Sequence, residues 1–488
     1  MNSPRRFITL TSFVAIGTLL NLQGSIVSSS NDSGPGSLRS AIANAIGGET
    51  ITFDPTLNGS TITLSGAHLL INNLAVTLDA TSLPSGVALS GNNLNRVIAI
   101  SGNSNVTLKK ITIQNGRSSD HNAGAIFLAE GNLNMTDCIL KSCFATYNGG
   151  AIYLAFGTTA TIDRCSFVGN STGTLGFGGA VFVSGASTTL FRSCVISGNS
   201  SPFGGGLAIF NSSPTLTNCT IQGNSGEGLR NDSNSDPVIQ NSIIWENTGS
   251  GNTASQQLKN ANGSNPIVSY SLIQGASENA SFEDSNAVIW GTGNFNGELV
   301  ANDPKFASAL GAGSAPNSGG DLRLLAGSAV LNEGNNSAGI GSLDLSRSAR
   351  IQNTTVDLGA YEGSFVSFAL LHPSLSTIAD DNQNGISNFQ EYAMGFNPTE
   401  PSHNQANPEI STGGGFKSLT INQRYNAVDF TSRLVTTTDF DSWTEMVEGI
   451  HYSVESTTSV TSDRKVWILR LISSDPKRFY RQAFLPLN

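Results

Sequence analysis

Downstream of about residue 60, apolar and polar residues alternate in short runs such as STITLS, VIAIS and VTLKKITIQ, each closed by Gly, Asn or Ser. Alternation at period two over so few positions predicts half-buried strands, and the frequent breakers exclude long helices. The runs then become a repeat: GGAIYLAFGTTATIDRCSFVGN, GGAVFVSGASTTLFRSCVISGN and GGLAIFNSSPTLTNCTIQGN, preceded by AGAIFLAEGNLNMTDCILKSC and followed by a degraded PVIQNSIIWEN. Periods of about 22 to 29 residues suit one turn of a solenoid and are too short for a propeller blade. Each copy therefore reads as two or three strands, and stacking copies about 4.8 Å apart gives a parallel β-helix with one continuous core. Residues 59–258 supply roughly eight such coils.

Three further features fit this rod. Cys138, Cys165, Cys194 and Cys219 recur at intervals of 27, 29 and 25 within the repeat, which makes them buried free thiols in a stacked column rather than disulfide partners. Asn170, Asn199, Asn224 and Asn247 each fall five residues after the Cys position, Ser242 replacing Cys in the last copy. Such Asn residues can form an amide ladder along a turn. Cys143 stands at the Asn position of the earlier copy, so the ladder is expected to stop there. Before the coils, Leu38, Ile42 and Ala45 in GSLRSAIANAI have helical spacing and predict a short amphipathic helix covering the rod's open end.

Composition narrows the partners. Only 12% of the 488 residues are charged, and Lys+Arg 25 against Asp+Glu 35 gives a net charge of −10, so no basic surface is expected for nucleic acid. Residues 1–24 read as a secretory signal, with Arg5 and Arg6 before an uncharged stretch from Phe7 to Leu20. No later segment approaches the roughly 20 apolar residues of a membrane-spanning helix. The mature chain is expected to be exported, extracellular or on the cell surface, without a membrane-spanning segment.

Two candidate sites stand out. Residues 380–391, DDNQNGISNFQE, follow a calcium-loop pattern: Asp380, Asn382 and Asn384 at positions 1, 3 and 5, Gly385 at 6, the carbonyl of Ile386 at 7, Asn388 at 9 and Glu391 at 12. The glycine makes the sharp turn and Glu391 can close an all-oxygen site; with only two charged ligands, weak calcium binding of the extracellular kind is expected. The bland alternative is an Asn/Asp-rich turn that binds nothing. The second candidate is Phe127, Tyr153 and Phe182, at equivalent positions of successive copies. If Ile126, Ile152 and Val181 point inward, the aromatics form an outer column on which sugar rings could stack. The opposite register buries the aromatics as core stacks, and is the preferred one, since alternation alone does not fix the inward face.

The tetrads GGAI, FVGN, GGAV, ISGN, GGLA and IQGN resemble the polymorphic outer-membrane protein repeats, within the right-handed parallel β-helix superfamily that includes pectate lyases. Residues 261–365, with NPIVSYSLIQG, NDPKFAS, GGDLRLLAGSAVLNEGNN and VDLGAYEG, resemble the choice-of-anchor segment of exported bacterial proteins; DLSRSARI departs from the turn usual there. The calcium loop, in a linker spanning 366–400, resembles those of dockerin and thrombospondin type-3 modules. Runs such as SLTINQRY and KVWILRLIS within residues 401–488 predict a small C-terminal β-sandwich. The fold class is thus all-β: residues 25–58 as N-terminal cap, 59–260 as right-handed β-helix repeats, then these segments.

For activity the resemblance is ambiguous. Pectate lyases would imply an acidic calcium cluster with an Arg or Lys base, and polygalacturonases would imply paired Asp residues with a His. Neither arrangement occurs: His68, His121, His372, His403 and His451 are scattered. The regular coils carry only Asp137, Asp163, Arg164, Arg192, Glu227 and Arg230, with Asp137 and Arg164 expected to stack as an outward ion pair of little worth. The expectation is a non-catalytic, adhesin-like or carbohydrate-binding scaffold with a polysaccharide or cell-surface component as partner. The alternative is a polysaccharide lyase or glycoside hydrolase, for which no catalytic residue can be assigned.

Overall fold

The computed structural model describes residues 24–363, apart from Ala186, Ser281, 283–287, Ala326 and Asn353, together with strands between Glu409 and Pro486. Each copy of the repeat makes one coil of three strands, and each strand pairs in parallel with its equivalent in the next coil. Three long sheets result, of eleven, nine and eight strands. The pairing runs from Ile26–Val27 to Ile289–Trp290, beyond the 59–260 stretch in which copies are legible. Eleven strands at the usual spacing make a rod of about 48 Å.

Register turns the sequence alternation into columns. In the nine-stranded sheet Ile62, Leu89, Ile113, Leu140, Phe167, Ile196, Ile221, Ile244 and Ile273 lie in one line, all essentially inaccessible to solvent. Leu78, Leu108, Met135, Ile162, Phe191, Leu216, Ile239 and Val268 do the same in the eleven-stranded sheet. Each such side chain contributes about 1.5–3 kcal/mol of burial, so the core is the sum of many equivalent steps.

The cap helix forms at Leu38–Asn44, with Ser37 accepting a hydrogen bond from the Ser40 amide and Leu38 and Ile42 buried. All five cysteines are free and buried. Burial pushes the Cys143 thiol up to about 12, so it is neutral and inert at ordinary pH. In the turn after the nine-stranded sheet, the Asn199 Oδ1 accepts from the Asn170 amide at 2.8 Å and the Asn224 Oδ1 from the Asn199 amide at 2.9 Å. Gln257, from the short helix Thr253–Gln257, continues the ladder beyond Asn247 at 3.0 Å. At the other end the amide-to-amide bonding does stop at Cys143, whose Sγ accepts from Gly116 at 3.4 Å.

Residues 303–363 form a strap that folds back over the outer face of the nine-stranded sheet. Val195, Thr220, Ile243 and Leu272 point outward there yet are buried, whereas Ile139, in the same column beyond the strap, is 41% exposed. Gln222 bonds both the carbonyl (2.7 Å) and the amide (3.2 Å) of Leu310, and Gly359 and Ala360 donate to the Asn241 carbonyl (2.7 Å) and Thr220 Oγ1 (3.0 Å). Gly198 and Gly223 admit the strap, since a Cβ at either would lie 2.1 and 2.3 Å from the carbonyls of Asn317 and Leu310.

Near the C-terminus the strands make two antiparallel sheets. One contains Glu409–Gly413, Phe416–Arg424, Arg464–Leu471 and Tyr452–Ser459, the other Thr444–Glu445, Phe430–Thr437 and Phe479–Pro486. Among the described residues, no helix is long and apolar enough to cross a membrane.

Candidate functional site

In the eight-stranded sheet Leu69, Ile98, Ile126, Ile152, Val181, Leu207, Leu229 and Leu258 form the inward column. Phe127, Tyr153 and Phe182 therefore face outward, in consecutive register. The register preferred from sequence, with these aromatics in the core, is not the one adopted. The interior here is already filled by branched aliphatic residues from every coil, and the rod's buried ring pair is instead Phe167 and Phe191, packed edge to face at 6.5 Å.

The outer rings stack on one another: Phe127 on Tyr153 at 5.4 Å and Tyr153 on Phe182 at 5.2 Å between centroids. The column broadens through Phe177, which stacks on Phe203 at 4.8 Å and meets Phe210 edge to face at 5.0 Å. Phe210 also packs on Phe182 at 5.2 Å. A guanidinium closes each end, Arg96 lying 4.9 Å above the Phe127 ring and Arg230 5.5 Å from Phe203, as expected for cations over π faces. Arg96 is fixed by donating to the Asn122 and Ala123 carbonyls, and Arg230 by Glu227 and Asp232. Around this strip Tyr147, Phe156, Leu175 and Phe203 are 49%, 74%, 75% and 37% exposed. Phe182 itself is covered by its neighbours, at 6% exposure, and exposed apolar residues of this kind make the strip a candidate binding face. Phe177, Phe203 and Arg96 escaped the sequence reading because they lie in turns outside the aligned positions. Phe210 and Arg230 instead sit on coil strands, Leu207–Phe210 and Leu229–Asp232, at positions where the preceding copies carry no ring and no cation, respectively, to align with.

A second cluster sits at the corner between the eleven- and nine-stranded sheets. Each coil turns there through a single residue in the left-handed region, including Lys110, Asp137, Arg164, Ser193, Asn218 and Asn241. The turn points these side chains outward and stacks them coil on coil. Arg164 donates to Asp137 at 2.9 and 3.3 Å and also pairs with Asp163. Arg192 bonds Asp163 at 2.7 Å, and Arg347 of the strap reaches Asp137 at 3.0 Å. The stacked Asp137–Arg164 pair anticipated from sequence is present, but it belongs to a five-membered network.

The two described histidines are apart: His121 is exposed beside Asp120, and His68 is held below its usual pKa by burial and then by Arg96 and Arg39. Among the described residues, no three His, Cys, Asp or Glu side chains converge as a metal site. The calcium loop from Asp380 to Glu391 lies outside the described residues.

Residues 148–320 match the family described as "Right handed beta helix region". The chain carries a right-handed parallel β-helix. No curated protein matches it. The matched segment contains Tyr153, Phe177, Phe182, Phe203 and Phe210 but begins most of a coil after Phe127, so most of the aromatic face lies on the matched coils.

Proposed function

We propose that this β-helix is an exported, non-catalytic binding rod of the extracellular or cell-surface, adhesin-like kind, whose aromatic face holds a glycan. The observation that carries the reading is the outward column Phe127–Tyr153–Phe182, extended by Phe203 and closed by Arg96 and Arg230. Stacked rings offer apolar edges to sugar C–H groups while the flanking guanidinium groups serve hydroxyl or acidic substituents. The carboxylates of this face, Glu227 and Asp232, are tied to Arg230, which favours binding over acid–base turnover.

Affinity electrophoresis through pectin, alginate, glucuronan and xylan tests this. The wild type should be retarded by at least one polymer, Tyr153→Ser and Phe203→Ser should each weaken retardation on the order of tenfold, and neither unsaturated uronates nor new reducing ends should form. Migration unaffected by all four polymers would sink the reading, and turnover of any would replace it with the lyase or hydrolase.

Asp380, Asn382, Asn384, Ile386, Asn388 and Glu391 are proposed to bind a structural calcium ion that stiffens the linker before the C-terminal strands, whose two sheets form a small sandwich. Calorimetric titration with calcium should give a Kd of about 10⁻⁴ to 10⁻³ M and no heat in Glu391→Gln. Equal heats in both proteins would remove the site.

A further inference from the structure

The leading edge of the strap meets the rod in a cleft of about 430 Å³ that the aromatic face does not touch. Its rod wall carries Lys110, Asp137, Ile139 and Arg164, and its strap wall Arg347 and Tyr361. In a chain of net charge −10 this corner is slightly positive: with the strap charges near Tyr361 included, Lys110, Arg164, Arg192, Arg323 and Arg347 outnumber Asp137, Asp163, Asp321 and Asp344 by one.

Asp137 does not cancel this surplus. Its Oδ1 takes Arg164 Nε, and its Oδ2 takes Arg164 Nη2 and Arg347. It therefore orients two guanidinium groups; Asp163 takes Arg164 Nη1 as well, so Arg164 keeps one further N–H on each Nη, and Arg347 keeps those beyond its Nη2 contact. Lys110, half-buried at its left-handed turn, has no ion-pair partner among the described residues. Burial, with Asp321 behind it, pushes the Tyr361 phenol up to about 12, so it remains a neutral donor. Exposed Ile139 adds an apolar wall.

We propose that this cleft is a binding site for the sulfate or phosphate group of a small organic ester of about monosaccharide size. Donors come from three separate backbone segments, the two coils on either side of the one that carries Asp137 and the strap, an arrangement suited to an oxyanion presenting three oxygens. A planar carboxylate would need only one arginine fork. The volume leaves room for the body of the ester against Ile139 and Tyr361. Because Arg347 comes from the strap, the site is complete only when the strap is docked.

The test is calorimetry on the full chain with four probes: inorganic sulfate, inorganic phosphate, a hexose sulfate and a hexose phosphate. At least one ester should bind more tightly than its inorganic anion, with affinity falling as salt rises. Lys110→Asn, which keeps a residue tolerant of the left-handed turn, and Arg347→Gln should each weaken ester binding on the order of tenfold. Tyr153→Ser should leave it unchanged, so that failure of this site and failure of the aromatic face read out separately. No heat from any probe, or affinity unaltered in both Lys110→Asn and Arg347→Gln, would overturn the site. Equal affinity for the inorganic anions would overturn the ester assignment.

Discussion

Replacing Arg350 by alanine should detach the strap from the rod above about pH 8, and destabilise it much less near about pH 5. Arg350 is the largest fully buried side chain in the described chain. Its guanidinium donates to the carbonyls of Ala360 at 3.0 Å, Gly359 at 2.6 Å and Asp357 at 3.2 Å, and lies 3.8 Å from Glu362. Asp344, Asp357 and Glu362 are all buried around it, so one cation faces three carboxylates. Burial, then the neighbouring Asp357, pushes Glu362 up to about 8; burial pushes Asp357 up to about 6.

Both folded pKa values are raised above the ordinary 4.5 and 3.8. The docked strap thus holds protons that the undocked strap releases. Their contribution is fully present below the ordinary values and is lost as pH rises through about 6 and about 8. Even the wild-type strap should loosen across that window. Without Arg350 the carboxylates lose their only buried countercharge among the described residues, and breaking such a cluster costs roughly 3–5 kcal/mol when they are ionised. At low pH what remains is the loss of donors to three carbonyls. Hydrogen exchange at the Leu310 and Gly359 amides, which bond Gln222 and Asn241, reports docking directly. Protection equal to wild type at both pH values would refute this account of the strap.

The strap also shows where sequence reasoning reaches and where it stops. Cys138 to Cys219 and Asn170 to Asn247 could be placed because their roles depend on a neighbour one period away, and a period is visible in a string. The cap helix was legible because its partners at Leu38 and Ile42 are one helical turn apart. The face taken by Phe127, Tyr153 and Phe182 was not, since a period of two fits either register and only the filling of the interior decides. Arg350 was hidden more deeply. In DLSRSARI it looks like a residue of an exposed turn, and its burial depends on strap contacts with Thr220 and Gln222, separated by 140 and 88 residues, that follow no repeat. The corner cluster falls between the two cases: the Asp137–Arg164 stack follows from the period, whereas Arg347 joins it only through the strap.

The ladder offers the second large effect. Asn199 is fully buried. Its Oδ1 accepts from the Asn170 amide at 2.8 Å and from Asn170 Nδ2 at 3.0 Å, while its Nδ2 donates to the Phe167 carbonyl at 3.0 Å and to Asn224 Oδ1 at 2.9 Å. In Asn199→Leu the Asn170 N–H loses this acceptor and the Phe167 carbonyl this donor inside the core. Asn170 Nδ2 keeps the Leu140 carbonyl, and Asn224 Oδ1 keeps the Asn199 amide. The Asn170 N–H is stranded, while the Phe167 carbonyl keeps its donor in the sheet ladder to Val195–Ser197 and loses only its second one. At about 1–3 kcal/mol for the stranded group and about 1 kcal/mol for the lost second bond, a loss of roughly 2–4 kcal/mol is expected. Asn199→Asp has nearly the same shape and should be worse at neutral pH. It keeps the acceptor toward Asn170 but turns an oxygen toward two other oxygens, with a buried charge. Desolvation would raise that carboxyl's pKa in the folded state, so Asn199→Asp should regain stability as pH falls, whereas Asn199→Leu has no such dependence. Urea unfolding of both variants at about pH 4 and pH 7 separates the explanations. If the two respond alike to pH, the ladder's contribution is steric packing rather than hydrogen bonding, and the matched amides at Asn170, Asn224 and Asn247 need a different reason.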